Sequence, residues 1–144
     1  MGKIYNTTIN DNIENIILDY LNNNTFKNNK LSLTSKFSTF DFYNDEYKIE
    51  LKSRSCTHDT YPTLMMNTNK LKWANDNPNF KCIFYFLFTD GLYKWDFKNN
   101  YTKKIGGRRD RNDPNDIKII GFIPRNDLIL VNDNLSSGLK PVKK

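Results

Sequence analysis

The chain has few of the residues on which several common classes of small protein depend. Its two cysteines, Cys56 and Cys82, form neither a metal-ligand spacing nor a disulfide framework, which favours a reducing compartment inside a cell. No apolar run is long enough to span a bilayer, and residues 1–3 lead into polar sequence without a signal-peptide core. We therefore expect a soluble, intracellular protein without a membrane partner, in the cytoplasm or the nucleus of a host cell.

Aromatic and basic residues are plentiful instead. Aromatic residues make up 14% of the 144 residues, and the ten Phe and eight Tyr can fill a compact core. This length fits one domain over residues 1–144, which we divide into a core at about 8–131 and a basic, flexible tail at 132–144. The 22 Lys and Arg exceed the 16 Asp and Glu, for a net charge of +6. This charge favours a polyanionic partner, although a soluble protein can also simply be basic.

The hydrophobic pattern predicts helices that alternate with pairs of strands. Apolar residues at three- and four-residue spacing over residues 9–21 predict a first helix, and residues 63–75 predict a second. The predicted strands are residues 37–43, 47–52, 81–89, 92–97, 117–123 and 127–131. Residues 106–116 are rich in Gly, Arg and Asp and predict a loop. This order predicts a mixed α/β sheet with helices packed on it.

The predicted hairpin over residues 37–52 carries the side chains best suited to chemistry. A two-residue turn at 45–46 would place Asp41 directly opposite Glu50 on the neighbouring strand. Lys52 lies two residues beyond Glu50, so its side chain points to the same face. The opposite face is then apolar, with Phe40, Phe42, Ile49 and Leu51. We expect the two carboxylates to converge to within roughly 4–6 Å, the reach of a shared metal ion.

Two carboxylates opposed across strands repel each other unless a positive charge neutralises them. A hard divalent cation such as Mg²⁺ can do so, with water and a substrate phosphate as its further ligands. The metal can activate a bound water, and Lys52 can orient that water or stabilise the developing negative charge. The alternative is a solvated sheet face on which Asp41 and Lys52 form an ordinary ion pair. The geometry of the hairpin alone leaves both interpretations open.

The spacing of these residues resembles a known motif. Asp41, eight intervening residues and then Glu50-Leu51-Lys52 are similar to the core of the PD-(D/E)XK nuclease superfamily, with Phe40 at a position where that motif often has proline. The resemblance covers about residues 8–88. It implies a restriction-endonuclease-like αβββαβ core, a mixed sheet flanked by helices, in which Asp41 and Glu50 bind Mg²⁺ (or Mn²⁺) and Lys52 assists the nucleophile.

The function implied by this resemblance is metal-dependent hydrolysis of phosphodiester bonds in DNA. A narrower expectation, by analogy of fold, is a structure-specific enzyme of repair or recombination, such as a Holliday-junction resolvase that works as a homodimer. The frequent Asn, Lys and Ile indicate an AT-rich genome, for which a virus or a mobile element is a natural source. Two alternatives remain: a catalytically silent nucleic-acid-binding module, and a subunit of a larger restriction or replication assembly. An exposed apolar patch on Trp73 or Trp95 would mark the second.

Residues outside the motif can add to the site. Glu14 on the first helix is a candidate third metal ligand, and Lys70 on the second helix is a candidate phosphate contact. The segment after the motif can bring Arg54 and His58 to DNA beside the scissile phosphate, whereas a metal or nucleophile role for the single histidine has little support. Three arginines that follow two glycines can lie along a phosphate backbone: Arg108, Arg109 and Arg111. The alternative for each of these residues is a solvated charged side chain.

Overall fold

The computed structural model describes residues 2–34, 40–98, 101–107 and 117–137. Helix α1 spans Gly2–Asn24 and helix α2 spans Thr68–Asp76. Nine strands lie within the described ranges: β1 (Ser32–Leu33), β2 (Phe42–Tyr43), β3 (Tyr47–Ser53), β4 (Thr63–Asn67), β5 (Lys81–Phe88), β6 (Gly91–Asp96), β7 (Thr102–Gly107), β8 (Ile117–Pro124) and β9 (Ile129–Asn132). Neither described helix is both long and apolar enough to cross a membrane.

The strands form two sheets. The larger sheet has six strands in the order β1-β2-β3-β5-β6-β9, and the smaller has three in the order β4-β8-β7. Strands β3 and β5 run parallel, while every other pair is antiparallel. This mixed α/β architecture is consistent with the restriction-endonuclease-like fold that the sequence predicted. Apart from the two-residue strand β1, the elements from α1 to β5 follow the expected αβββαβ order, although β4 belongs to the smaller sheet.

The core has two layers because β5 is buried on both faces, as its nearly continuous apolar sequence predicts. On one face, side chains of β5 pack with α1 and the hairpin; this cluster includes Ile17, Leu21, Phe42, Ile49, Ile83, Tyr85 and Leu87. On the other face they pack with α2 and the smaller sheet; this cluster includes Leu64, Met66, Leu71, Phe84, Phe86, Phe88, Trp95 and Ile123. Alternate residues of one strand therefore support two separate layers.

The predicted second helix over residues 63–75 is partly wrong. Its first part is strand β4, in which buried Leu64 and Met66 alternate with the exposed residues 63, 65 and 67. The helix begins only at Thr68, where the Asn67 side chain caps it by accepting a hydrogen bond from the Asn69 N–H at 2.8 Å. Pairing with β8 overrides the helical spacing of the apolar residues, because it supplies β4 with backbone hydrogen bonds.

Three other boundaries differ from the prediction. Helix α1 begins at Gly2, well before the expected start near residue 8. Residues 102–107 form β7, which was not predicted and which pairs with β8. Of the strand predicted over residues 37–43, residues 37–39 lie outside the described part of the chain, residues 40–41 form a bend, and only Phe42–Tyr43 are strand β2.

Phe40 lies on the opposite face from the one predicted. Its ring packs against Trp73 and Phe84, with centroids 5.4 and 6.0 Å away, in the cluster on the α2 side. The alternation of faces fails here because Phe40 precedes β2 and lies outside the regular strand. The prediction for Phe42 and Ile49, which are paired within the strands on the α1 side, is confirmed.

The close contact between α2 and β8 leads to a prediction about stability. A Cβ atom on Gly121 would overlap the Leu71 Cδ1 atom, and Leu71 is fully buried. We expect Gly121→Ala to lower the free energy of unfolding by about 1–3 kcal/mol, the usual cost of overpacking. The same substitution in a Leu71→Ala background should cost less, because the overlapping atom is gone. Urea denaturation of the four proteins measures this coupling, and equal costs in both backgrounds would contradict the packing argument.

Candidate active site

The turn between β2 and β3 fixes the register of the hairpin. The buried Asn44 side chain accepts hydrogen bonds from the backbone N–H groups of Glu46 and Tyr47, at 2.8 and 2.7 Å. Phe42 is consequently paired with Ile49, which is the predicted register. One-residue slippage would exchange the two faces of β3, so this turn decides where the charged side chains lie.

Glu50 is a buried carboxylate near the centre of the larger sheet. It lies on β3 and is paired with Phe84 of β5, and its residue is only 4% exposed. Its neighbours Ile49 and Leu51 belong to the cluster on the α1 side, so the Glu50 side chain points to the α2 side. A carboxylate at this depth requires partners of opposite charge.

Two lysines supply that charge. The Lys70 Nζ atom lies 2.8 Å from Glu50 Oε1, and the Lys52 Nζ atom lies 3.6 Å from Oε2. Lys70 comes from α2, and its Nζ atom is also 5.9 Å from the centroid of the Phe40 ring. The displaced Phe40 therefore lies beside the site and packs against the helix that carries Lys70.

Asp41 is the second carboxylate of the candidate site. Its Oδ2 atom accepts a hydrogen bond from the backbone N–H of Leu51 at 2.8 Å, directly beside Glu50 on β3. Its own N–H donates to the carbonyl of Ile49 at 2.9 Å, which ties the residue to the hairpin although it precedes β2. The half-buried Asp41 side chain thus approaches the Glu50 region and does not enter the apolar cluster under α1.

The pKa of Glu50 is raised from its ordinary value of 4.5 to about 7. Burial is the largest cause, and the negative charge of Asp41 adds to it. The hydrogen bond from Lys70 and the charges of Lys70 and Lys52 lower the pKa but do not offset burial. Removal of the proton near neutral pH therefore leaves an anion for which an added cation would be favourable.

The ligand chemistry at this position fits a hard divalent cation. Asp41 and Glu50 offer carboxylate oxygens, the ligands that Mg²⁺ and Mn²⁺ prefer. Lys70 holds the Oε1 atom of Glu50 closely, whereas the Oε2 atom has the longer contact with Lys52. Oε2 is thus the Glu50 oxygen better placed to bind a cation.

A cleft of about 570 Å³ adjoins Lys52. Its lining residues come from the end of β3, from β4, from the start of α2 and from β8: Lys52, Arg54, Met65, Met66, Asn67, Thr68, Asn69 and Ile120. The polar and basic side chains among them suit a ligand that carries both phosphates and exposed bases.

The remaining predicted residues lie in different places. Glu14 is on α1, which covers the opposite face of the sheet, and within the described ranges no cluster of three or more potential metal-ligand side chains contains it. Arg54 lines the cleft, and its guanidinium donates to the Ser53 carbonyl at 3.1 Å. His58 lies on the loop after β3 and pairs with Asp90. The three arginines Arg108, Arg109 and Arg111 lie outside the described residues.

Two features of the site were beyond sequence reasoning. Lys70 was expected to reach a phosphate, but its Nζ atom lies 2.8 Å from the carboxylate of Glu50. The direction of the Lys70 side chain depends on where α2 begins. Because the start of this helix was predicted wrongly, the contact with Glu50 could not be predicted. The pairing of His58 with Asp90 joins residues 32 positions apart, and Asp90 otherwise resembles an ordinary turn residue.

The raised pKa of Glu50 gives a prediction about pH and stability in metal-free buffer. Between pH 4.5 and 7 the folded protein binds more protons at Glu50 than the unfolded chain does, so stability falls as pH rises through this window. We expect the free energy of unfolding of the wild type, minus that of Glu50→Gln, to decrease by on the order of 3 kcal/mol and to level off above pH 7.

Denaturation at half-unit steps of pH measures this difference, and the subtraction removes the contributions of the other titrating groups. Glu46→Gln is the control, because Glu46 lies on the turn of the same hairpin with its side chain 53% exposed. Its difference from the wild type should remain small across the window. A flat difference for Glu50→Gln would show that burial does not govern the protonation of this carboxylate.

Comparison with known proteins agrees with the geometry. The model of a family described as "Phage putative PDDEXK endonuclease" matches residues 5–130, which include α1, the hairpin, α2 and β5. No curated protein and no solved structure gives a match. The match spans most of the 144 residues and contains Asp41, Glu50 and Lys52 at the spacing of the motif. The chain therefore belongs to this family of PD-(D/E)XK proteins.

Proposed function

We propose that the protein is a metal-dependent endonuclease that hydrolyses phosphodiester bonds in DNA. The observation that carries this proposal is the buried Glu50, which has Asp41 beside it, two lysine partners and a pKa near neutrality. The description of the family, which names a phage endonuclease, supports the same activity. A solvated ion pair, the alternative left open by the sequence, does not account for a carboxylate that is only 4% exposed.

In the proposed mechanism Asp41 and Glu50 hold Mg²⁺ or Mn²⁺ through their carboxylate oxygens. Such an ion, when bound, lowers the pKa of a coordinated water and offsets negative charge on the phosphate. Lys52 faces the cleft from the same strand and donates hydrogen bonds to the attacking water or to the phosphate oxygens. Lys70 holds the Oε1 atom of Glu50 at 2.8 Å and so orients the carboxylate; it is a positioning residue.

DNA binding is assigned to the cleft and its surroundings. Arg54 lines the cleft next to Lys52, and its permanent charge suits a phosphate contact. The arginines at 108, 109 and 111 belong to the segment between β7 and β8, and we propose that they bind the backbone of the same duplex. The net charge of +6 supports binding of a polyanion.

The narrower proposal is a structure-specific enzyme of the repair or recombination type, such as a Holliday-junction resolvase that acts as a homodimer. This step rests on analogy among nucleases that share the core. A subunit of a larger assembly has less support, because Trp95 is fully buried and Trp73 packs against Phe40 and Phe80, so neither provides the exposed apolar patch expected of one. A catalytically silent binding module is an outcome of the experiment below.

The nuclease proposal predicts that cleavage needs both the metal and the carboxylates. Junction, flap, duplex and single-stranded DNA are incubated with Mg²⁺, with Mn²⁺ or with EDTA. We expect EDTA to abolish cleavage and Glu50→Gln to do the same. Lys52→Ala should lower the single-turnover rate by at least about 100-fold, as when a group that stabilises developing charge is lost.

Glu46→Gln, in the same hairpin, should retain the wild-type rate because its side chain is exposed. Circular dichroism checks that each variant is folded. Full activity in EDTA or in Glu50→Gln would exclude the proposed mechanism. Tight DNA binding without cleavage of any substrate would identify a silent binding module. Preference for the four-way junction over the duplex would support the resolvase assignment, and equal rates would contradict it.

The arginine segment gives a prediction that separates binding from chemistry. Replacement of Arg108, Arg109 and Arg111 by Ala should weaken DNA affinity and reduce the log–log salt slope by up to about 0.9 for each lost phosphate contact. The single-turnover rate at saturating enzyme should change little, because such contacts are made equally in the ground state and the transition state.

Binding titrations at several salt concentrations and single-turnover assays provide these values. The control is Lys27→Ala with Lys30→Ala, two exposed lysines on the loop after α1. Wild-type affinity and slope in the arginine variant would show that the segment is merely solvated. A collapse of the saturated rate would place these arginines in the active site.

A further inference from the structure

A second group of potential metal ligands lies on the loop that follows β3. His58 and Asp59 come from this loop, and Asp90 comes from the turn between β5 and β6. One ligand atom from each of the three side chains lies within 4.8 Å of the other two. Ligand atoms that are each about 2.0–2.2 Å from one ion lie within about 4.4 Å of one another, so small adjustments of these side chains would bring the three atoms onto a single ion. Among the described residues this is the only such cluster of three or more.

Hydrogen bonds hold the three side chains toward one another. The Nδ1 atom of His58 is 2.6 Å from Asp90 Oδ2, and the backbone N–H of His58 donates to Asp90 Oδ1 at 3.0 Å. The Thr57 hydroxyl donates to Asp59 Oδ1 at 2.7 Å. The ring of Tyr93 stacks on the imidazole, with centroids 4.4 Å apart and an interplanar angle of 17°. The loop and the turn are therefore organised around the cluster before any ion binds.

The cluster is locally negative in a chain whose net charge is positive. Among the described residues, no Lys or Arg forms an ion pair with Asp59 or Asp90, and the contact of Asp90 with His58 is an ion pair only when the imidazole is protonated. Arg125 lies nearby, but its guanidinium donates to the backbone carbonyl of Asp59 at 3.0 Å. A cation would offset this concentration of carboxylates.

We propose that His58, Asp59 and Asp90 bind a divalent transition-metal cation, with Zn²⁺ as the best fit, at a site separate from Asp41 and Glu50. One imidazole nitrogen and two carboxylates suit Zn²⁺, whereas Mg²⁺ prefers oxygen ligands alone. Binding through Nδ1 would replace the contact of this nitrogen with Asp90 Oδ2, and the neutral imidazole would carry its one proton on Nε2. Three protein ligands leave the fourth tetrahedral position for water.

The bound ion would add a further link between two segments that already share hydrogen bonds. The loop after β3 leads from Lys52 and Arg54 toward β4, and the turn with Asp90 ends the central strand β5. A described backbone hydrogen bond between these segments is the one from the Thr89 N–H to the Cys56 carbonyl, at 3.0 Å. The metal would therefore stabilise the loop that follows the proposed catalytic strand, without taking part in the chemistry.

The experiment uses the full chain with Asp41→Asn and Glu50→Gln, so that the proposed catalytic carboxylates cannot bind the ion. Zn²⁺ alone is titrated by calorimetry against a competing chelator, and the melting temperature is measured with and without Zn²⁺. We expect one Zn²⁺ per chain and a rise in melting temperature, with no comparable effect of Mg²⁺ at the same concentration. Because this background is inactive by design, the result does not depend on the nuclease proposal.

Single substitutions in this background locate the site. His58→Gln and Asp90→Asn should each weaken Zn²⁺ binding by more than about tenfold. Loss of a direct ligand should cost at least as much as loss of a residue that only hydrogen-bonds to a ligand. Asp19→Asn, an exposed carboxylate on α1, is the matched control and should bind as the parent does. Cys56→Ser should also leave the affinity unchanged. This result would show that the nearby Cys56 thiol is not a ligand of the ion. Melting in chelator verifies that each variant folds.

Several results would overturn the proposal. One is Zn²⁺ affinity weaker than about 100 μM in the parent, which is below the range of specific protein sites. Another is unchanged affinity in His58→Gln, and a third is loss of binding in Cys56→Ser. Binding that occurs in the wild type but not in the Asp41→Asn, Glu50→Gln background would place the ion at the other pair of carboxylates and would equally exclude the site proposed here.

Discussion

The parallel pairing of β3 with β5 is the interaction on which the rest of the structure depends. It joins the two strands along their whole shared length, from Tyr47 opposite Lys81 to Ser53 opposite Leu87. Because β5 is buried on both faces, this pairing takes β3 into the interior together with its charged residues. Glu50 is consequently buried next to Phe84, while Lys52, farther along the strand, remains about a quarter exposed. The same strand pairing thus places Glu50 in a low-dielectric environment and leaves Lys52 open to the cleft.

The burial of Glu50 disfavours its negative charge; Asp41 adds to this effect, and Lys52 and Lys70 oppose it. Asp41 precedes β2, Lys52 follows on β3 and Lys70 comes from α2. Removal of any one of these would leave the others in an unfavourable balance of charge, because a buried ion tolerates little mismatch. The site therefore forms only when the hairpin and α2 pack together. Protonation of Glu50, stability of the fold and binding of a cation are consequently linked.

Local interactions account for the parts that the sequence predicted well. The register of the hairpin follows from Asn44, from the short turn and from the apolar residues of one face, all within a few positions of one another. The continuous apolar sequence of β5 similarly indicates a strand buried on both sides. Asp41, Glu50 and Lys52 could be singled out because their spacing resembles a known motif and because the pairing within this hairpin brings them to one region.

The unpredicted parts depend on contacts between distant segments. Residues 63–67 have apolar spacing that fits a helix, and only their pairing with β8 makes them a strand. Phe40 lies on the α2 side of the sheet, where its ring packs against Trp73 of α2. The group formed by His58, Asp59 and Asp90 requires the fold to bring a loop and a hairpin turn together. Periodicity contains no information about such long-range pairings.

The direct junction of β4 and α2 limits how the length of this chain can vary. Asn67 ends the strand and also caps the helix, so no linker residue separates them. One residue inserted there would either invert the faces of β4 or rotate α2 by about 100° around its axis. The first would expose Leu64 and Met66, and the second would turn Lys70 away from Glu50. Loops elsewhere can accept insertions, but at this junction the number of residues fixes where Lys70 lies relative to Glu50.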